Sequence, residues 1–240
     1  MAREPPPEGF TFTYSSSVAH FNVPSKAFLS TRPLIRGAST GALVFSRATV
    51  GPGVTVTTNS KNQQNTPDRI LLIQRAPHDS MPLRWEVPGG ACDPEDPTML
   101  HGLARELWEE VGLKLRRVVR QVGDEDVFLT RRGLAVAKAT FEVEVETPPP
   151  CVPSAPDDGE GNTTQEVLQE RLPEVSLDPN EHVRFVWATE EECRQGKAVV
   201  LGASGEREEV NIEFTTKHQR QVVLLGFELR KQPNNAQIST

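Results

Sequence analysis

Three carboxylates, Glu106, Glu109 and Glu110, stand at i, i+3 and i+4, a spacing that gathers side chains on one face of an α-helix. Like charges so placed repel, and the patch costs stability unless a cation lies against it. Carboxylate oxygens are hard donors that suit Mg²⁺ or Mn²⁺, and Mg²⁺ normally keeps waters and recruits substrate phosphates instead of filling an all-protein cage. Three glutamates on a helix also fit a plain solvated acidic face, and spacing alone does not choose between the two. Arg105, four residues before Glu109, is placed for an ion pair along the helix. Arg75, ending the run RILLIQR, is a candidate bidentate donor to a phosphate. Phe128 is a candidate platform for a nucleobase.

The carboxylates need a helix with an apolar back. Leu100, Leu103, Ala104, Leu107 and Val111 fall in one arc opposite them, and the helix is predicted to start at Asp96 or Pro97 and to end at Gly112. Short apolar or alternating runs at 41–46, 69–75, 141–145 and 183–187 read as strands. Thr189 with Glu192 forms the capping box of a short helix. A last helix is predicted over 215–229 with Phe214, His218, Val222, Leu225 and Leu229 at helical spacing. Interleaved strands and helices of this kind predict an α/β (α+β) fold, a mixed β-sheet packed between helices. Trp85 and Trp187, at strand ends, read as core residues, and no histidine is given a catalytic role.

Of the 240 residues, 26 are Lys or Arg and 33 are Asp or Glu, a formal net charge of −7. Segment 147–181 holds eight acidic residues, one basic residue and seven prolines. It therefore carries the entire excess, 1 − 8 = −7, and leaves 25 charges of each sign elsewhere. A segment so polar cannot bury enough apolar surface to offset the entropy of ordering it. The expected organisation is a flexible N-terminal segment at 1–24, one domain at 25–230 with flexible insertions at about 51–68 and 147–180, and a flexible tail at 231–240. The acidity argues against general nucleic-acid binding, which needs clustered positive charge. The longest apolar run, VVLLGF at 222–227, is far short of the ~18 residues that a membrane span needs. The opening residues lack the apolar stretch of a signal peptide. Cys92, Cys151 and Cys193 match no metal-ligand or disulfide spacing and read as reduced thiols, so a soluble cytoplasmic protein is expected.

The segment GGACDPEDPTMLHGLARELWEEVGL at 89–113 resembles the box of the Nudix hydrolases, G-x5-E-x7-R-E-U-x-E-E-x-G-U with U apolar. Arg105, Glu106, Leu107, Glu109, Glu110, Gly112 and Leu113 match its second half. WEVPGG at 85–90 is similar to the family's strand leading into the box, and VRFVWATEEE at 183–192 to its late strand ending in Trp. One departure stands out. The chain has one residue more than the pattern between Gly90 and Arg105, so either Glu95 or Asp96 fills the auxiliary acidic position.

The resemblance implies an α/β/α sandwich and Mg²⁺-dependent hydrolysis of a diphosphate linkage in a nucleoside diphosphate derivative by a metal-activated water, with Mn²⁺ as the other candidate metal. It assigns Glu109, Glu110 and the backbone carbonyl of Gly89 as metal ligands and Glu106 as a further ligand or the general base. Arg105 orients these carboxylates, and Glu181, six residues before Trp187, is the candidate ligand from outside the box. The implied partner is a small nucleotide-type diphosphate, with a homodimer open. The alternative is a non-catalytic Nudix-like module that binds or senses a nucleotide. VFLT at 127–130 lacks the Pro or Tyr that marks particular substrate groups, so the substrate stays open.

Overall fold

The computed structural model describes residues 3–6, 8–46, 67–147, 172–201 and 206–232. The chain runs through β1 (Thr13–Tyr14), a 3₁₀ turn (Ser16–Phe21), α1 (Ser25–Ser30), β2 (Gly37–Ser46), β3 (Arg69–Arg75), β4 (Trp85–Glu86) and α2 (Met99–Val111). It continues through β5 (Leu115–Gln121), β6 (Asp126–Leu129), β7 (Ala135–Val145), β8 (His182–Thr189), α3 (Glu190–Gln195), β9 (Lys197–Leu201), β10 (Arg207–Asn211) and α4 (Lys217–Lys231). Eight strands make one mixed sheet in the order β1-β5-β7-β2-β3-β4, with β6 also on β7 and β8 also on β3, while β9 and β10 form a separate hairpin. β2 runs parallel to β7, and β3 pairs antiparallel with β2 and β8.

Alternation along the strands divides the core into two layers. Ala42, Leu71, Ile73, Ala139 and Phe141 pack with Leu100, Leu103 and Leu107 of α2. Leu43, Ile70 and Leu72, one residue out of phase, pack with Val222, Val223 and Phe227 of α4. The expected α/β/α arrangement is thus the observed one. On α4 the buried stripe is Gln219, Val222, Val223, Gly226 and Phe227, so only Val222 of the expected face lies at its centre.

β2 and β3 pair only at Phe45–Ile70 and Ser46–Arg69, and beyond that point they diverge. The peptide from Pro88 to Cys92 fills the gap: Thr40 N–H donates to Gly90 O at 2.9 Å, Ala42 N–H to Pro88 O at 2.8 Å and Cys92 N–H to Ala38 O at 2.9 Å. This seam is where the loop before α2 meets the sheet.

Two expectations about flexible segments need correction. Within 1–24, β1 pairs with β5, and Val18 and Phe21 are fully buried, the latter edge-to-face on Phe141 at 4.9 Å. The segment begins Pro-rich, but the i, i+3 spacing of Val18 and Phe21 in a 3₁₀ turn puts both on one side. The expected insertions fall mostly outside the described residues, as does the end of the tail. The described part, 172–180, is packed: Ser176 N–H donates to Val111 O and Asp178 N–H to Glu110 O, each at 3.0 Å. These bonds satisfy carbonyls at the end of α2 that have no intrahelical donor.

Candidate active site

Thr98, not Asp96 or Pro97, caps α2, its hydroxyl accepting from His101 N–H. Asp96 is occupied differently. It is 8% exposed, and its carboxylate receives Arg105 Nε at 2.9 Å and Arg105 Nη2 at 3.0 Å, with Asp93 N–H at 2.7 Å. Of the two acids considered for the auxiliary position, Asp96 is therefore the one that meets Arg105, while Glu95 stays exposed. Arg105 Nη1 also donates to Glu106 at 2.9 Å and Glu109 at 2.8 Å, and Nη2 to Ala91 O at 2.8 Å. One guanidinium thus joins the loop at 91–96 to two of the three α2 carboxylates. Burial disfavours its charge, yet Asp96, Glu106 and Glu109 outweigh burial and raise its pKa.

The loop accommodates the carboxylates because it carries two glycines. Gly89, at φ 139°, would place a Cβ 2.3 Å from Thr40 O, and a Cβ on Gly90 would lie 2.6 Å from Glu106 Oε2. The Gly89 N–H donates to Glu110 Oε2 at 2.6 Å. Gly90 O and Pro88 O both accept from β2, whereas no hydrogen bond to Gly89 O occurs among the described residues, consistent with a carbonyl available to a cation.

Glu110 is 5% exposed. Burial first, then the charges of Glu86 and Glu106, raises its pKa well above the usual carboxylate range. Burial likewise lifts the Glu106 carboxyl to about 7, helped by Glu109 and Glu181 and opposed by Arg105. Such mutual repulsion among acids is what a divalent cation relieves. Glu110, Glu181 and His182 each offer a ligand atom within 4.8 Å of the others, so the cluster's chemistry fits a hard divalent metal. The packed 172–180 segment brings Glu181 beside Glu110 and His182.

Two residues at this site carry little local signal in the sequence. His182 is 3% exposed, and its Nε2 lies 3.5 Å from Glu86 Oε1 and 3.8 Å from Glu110 Oε1. Glu86 is 5% exposed. Burial opposes its ionisation, but His182, Lys138 and Arg75 hold its pKa below the usual value. A buried acid on the short strand β4 was legible only as part of WEVPGG, and the ion pairing across β3, β4 and β8 comes from the register.

Arg75 departs from its expected role. It donates to Glu86 and Asp79, and these neighbours raise its pKa against the effect of burial. It anchors β3 to β4 and does not stand open for a phosphate. Phe128 sits on β6, 38% exposed, opposite Val136 of β7. Trp85 and Trp187 are core residues, 0% and 5% exposed. Burial pushes the Cys92 and Cys193 thiols up to about 12, so neither is poised as a nucleophile. Cys151 lies outside the described residues. No described helix is long and apolar enough to cross a membrane.

Comparison with known proteins identifies the family. The NUDIX domain model matches residues 50–218, more than half of the chain. An RNA pyrophosphohydrolase from Psychrobacter sp. (strain PRwf-1) is 46% identical over 54 residues, 22% of this chain and 28% of that relative's length. The chain therefore matches well under a third of the relative. Among solved structures, the MutT protein from Methanosarcina mazei Go1 covers 82% of this chain and 96% of its own at 17% identity and a TM-score of 0.45. The NUDIX domain of Shewanella oneidensis NrtR complexed with ADP ribose covers 85% and 98% at 12% identity and a TM-score of 0.48. With the family model spanning the loop, α2 and β8 that build the acidic site, the chain belongs to the Nudix hydrolase family.

Proposed function

We propose that this protein hydrolyses a diphosphate linkage in a nucleoside diphosphate derivative, using a divalent cation held by Glu106, Glu109, Glu110 and Glu181 with the Gly89 carbonyl. The observation that carries the reading is the crowding of Glu106 and Glu110 into a buried site where Arg105 is already shared among Asp96, Glu106 and Glu109. Such an arrangement is poorly stable alone and suits a cation with a phosphate behind it. Mg²⁺ or Mn²⁺, when bound, would offset the diphosphate charge and lower the pKa of a water at phosphorus. Arg105 holds Glu106 and Glu109 in register, and Asp96 holds Arg105. Glu106 serves either as a ligand to the cation or as the general base. His182 fits the donor set beside Glu110 and Glu181 and supports a ligand or orienting role. The matched relative is called an RNA pyrophosphohydrolase, which names cleavage of the same kind of bond.

The test is a panel of substituted nucleoside diphosphates, dinucleoside polyphosphates and an oligoribonucleotide bearing a 5′ triphosphate, incubated with Mg²⁺ or Mn²⁺ and followed by product release. Turnover of at least one member, abolished by EDTA, is expected. Tight metal-dependent binding with no turnover of any member would replace hydrolysis by the binding-module reading.

A further inference from the structure

A diphosphate needs cationic contacts beyond the metal, and both arginines at the site are committed, Arg105 to Asp96, Glu106 and Glu109 and Arg75 to Glu86 and Asp79. A third cation reaches the same place from β7. Lys138 pairs in register with Ser39 of β2 on one side and Asp126 of β6 on the other. It forms no ion pair with Asp126 among the described residues. Its stem instead crosses Gly41, where an added Cβ would lie 3.0 Å from Lys138 Cε and 3.3 Å from Val87 Cγ2. That route lies beside the glycine loop, since a Cβ on Gly89 would come within 2.8 Å of Gly41 Cα, and the Lys138 charge helps to lower the Glu86 pKa. Glu86 in turn neighbours His182 and Glu110. Lys138 is half-buried, and among the described residues its ammonium makes no hydrogen bond or ion pair.

We infer that Lys138 is a substrate-binding residue that takes a phosphate of the diphosphate, the role the sequence offered to Arg75. This rests on the diphosphate reading proposed above. The sheet also gives the substrate a direction. Val136 is two residues before Lys138 on the same face, about 7 Å away along the strand, with Phe128 opposite it across the β6–β7 pair. A nucleotide-type ligand with its phosphate at Lys138 would extend its organic part towards Val136 and Phe128.

Lys138→Met keeps the apolar stem over Gly41 and removes the charge; Lys138→Arg keeps the charge. Gly41→Ala displaces the stem by a route that leaves Lys138 itself unchanged. Each is compared with the full-length wild type in two assays, hydrolysis of the panel and calorimetric binding of α,β-methylene-ADP with Mg²⁺. Loss of one charge-assisted contact predicts that Lys138→Met weakens probe binding and raises KM by about ten- to a hundred-fold. Lys138→Arg should recover most of the loss, Gly41→Ala should fall between, and Mg²⁺ affinity without nucleotide should stay unchanged. Wild-type turnover with unaltered binding and KM in Lys138→Met overturns the role of Lys138 and leaves the hydrolase reading standing. Lys138-dependent probe binding without any turnover keeps the contact and overturns the hydrolase reading. If the wild type neither binds the probe nor hydrolyses the panel, both fail.

Discussion

Removing a carboxylate from the proposed site should stabilise the metal-free protein. Glu106 carries its proton up to about 7, against an ordinary 4.5, chiefly because burial disfavours the charge. The folded form therefore binds this proton more tightly than the unfolded chain. Its contribution is fully present below pH 4.5 and is lost as pH rises through about 7. At pH 8 the ionised carboxylate costs the fold on the order of 3 kcal/mol relative to the unfolded chain. Glu106→Gln removes that cost and keeps an acceptor for Arg105 Nη1, now 2.9 Å from Oε1, while the neutral hydrogen bond is weaker by about 1 kcal/mol. The net expectation in EDTA at pH 8 is a gain of about 2 kcal/mol, or roughly 4–8 °C in Tm for a domain of this size. Urea titrations and thermal melts at pH 5 and pH 8 measure it. The gain should nearly vanish at pH 5, where the wild-type carboxyl is already protonated. A variant no more stable than wild type at pH 8, or equally shifted at both pH values, would refute the argument that Glu106 is held under electrostatic strain.

Asp96→Asn should lower activity by one to two orders of magnitude, since Arg105 loses its two charge-assisted bonds to that carboxylate, whereas Glu95→Gln should change little; kinetics on any hydrolysed substrate separate the two. Mg²⁺ or Mn²⁺ affinity should rise as pH is raised from 5 to 8, because the metal competes with protons on Glu106, whose carboxyl sits at about 7, and on Glu110, whose pKa is also raised; calorimetry across that range checks this. Deleting 172–180 should cost several degrees in Tm by removing the donors to Val111 O and Glu110 O and by misplacing Glu181; thermal melts measure it.

The part of this site that lies on one turn-and-helix segment was legible in the sequence. Glu106, Glu109 and Glu110 share a face because of helical spacing alone, and Arg105 reaches Glu109 one turn later for the same reason. The strand cores were legible too, but their ends were not. β7 begins at Ala135 instead of 141 because register with β2, not hydrophobic alternation, extends it. What a linear reading could not supply was commitment. Whether Arg75 is free or held depends on Glu86 arriving from β4 and Asp79 from the following turn. His182 joins the cluster because β8 lies against β3, and Lys138 comes to lie over Gly41 because β7 lies against β2. The N-terminal segment was misjudged for a related reason. It opens on a Pro-rich stretch, yet Val18 and Phe21, with Phe10, Phe12 and Val23 packed beside them, seat it on the core at Phe141.

The central claim is that the buried carboxylates of α2 hold the cation that drives hydrolysis. The most direct measurement is the Mg²⁺ dependence of product release for wild type and Glu110→Gln, alongside Tm for both without metal. Glu110 lies between Gly89 N–H, His182 and the cluster's remaining acids, and its neutral isostere keeps the shape while removing the charge. The account predicts a folded variant, at least as stable as wild type in EDTA, whose metal-dependent rate falls by several orders of magnitude. A Glu110→Gln protein that keeps wild-type metal-dependent turnover would contradict it.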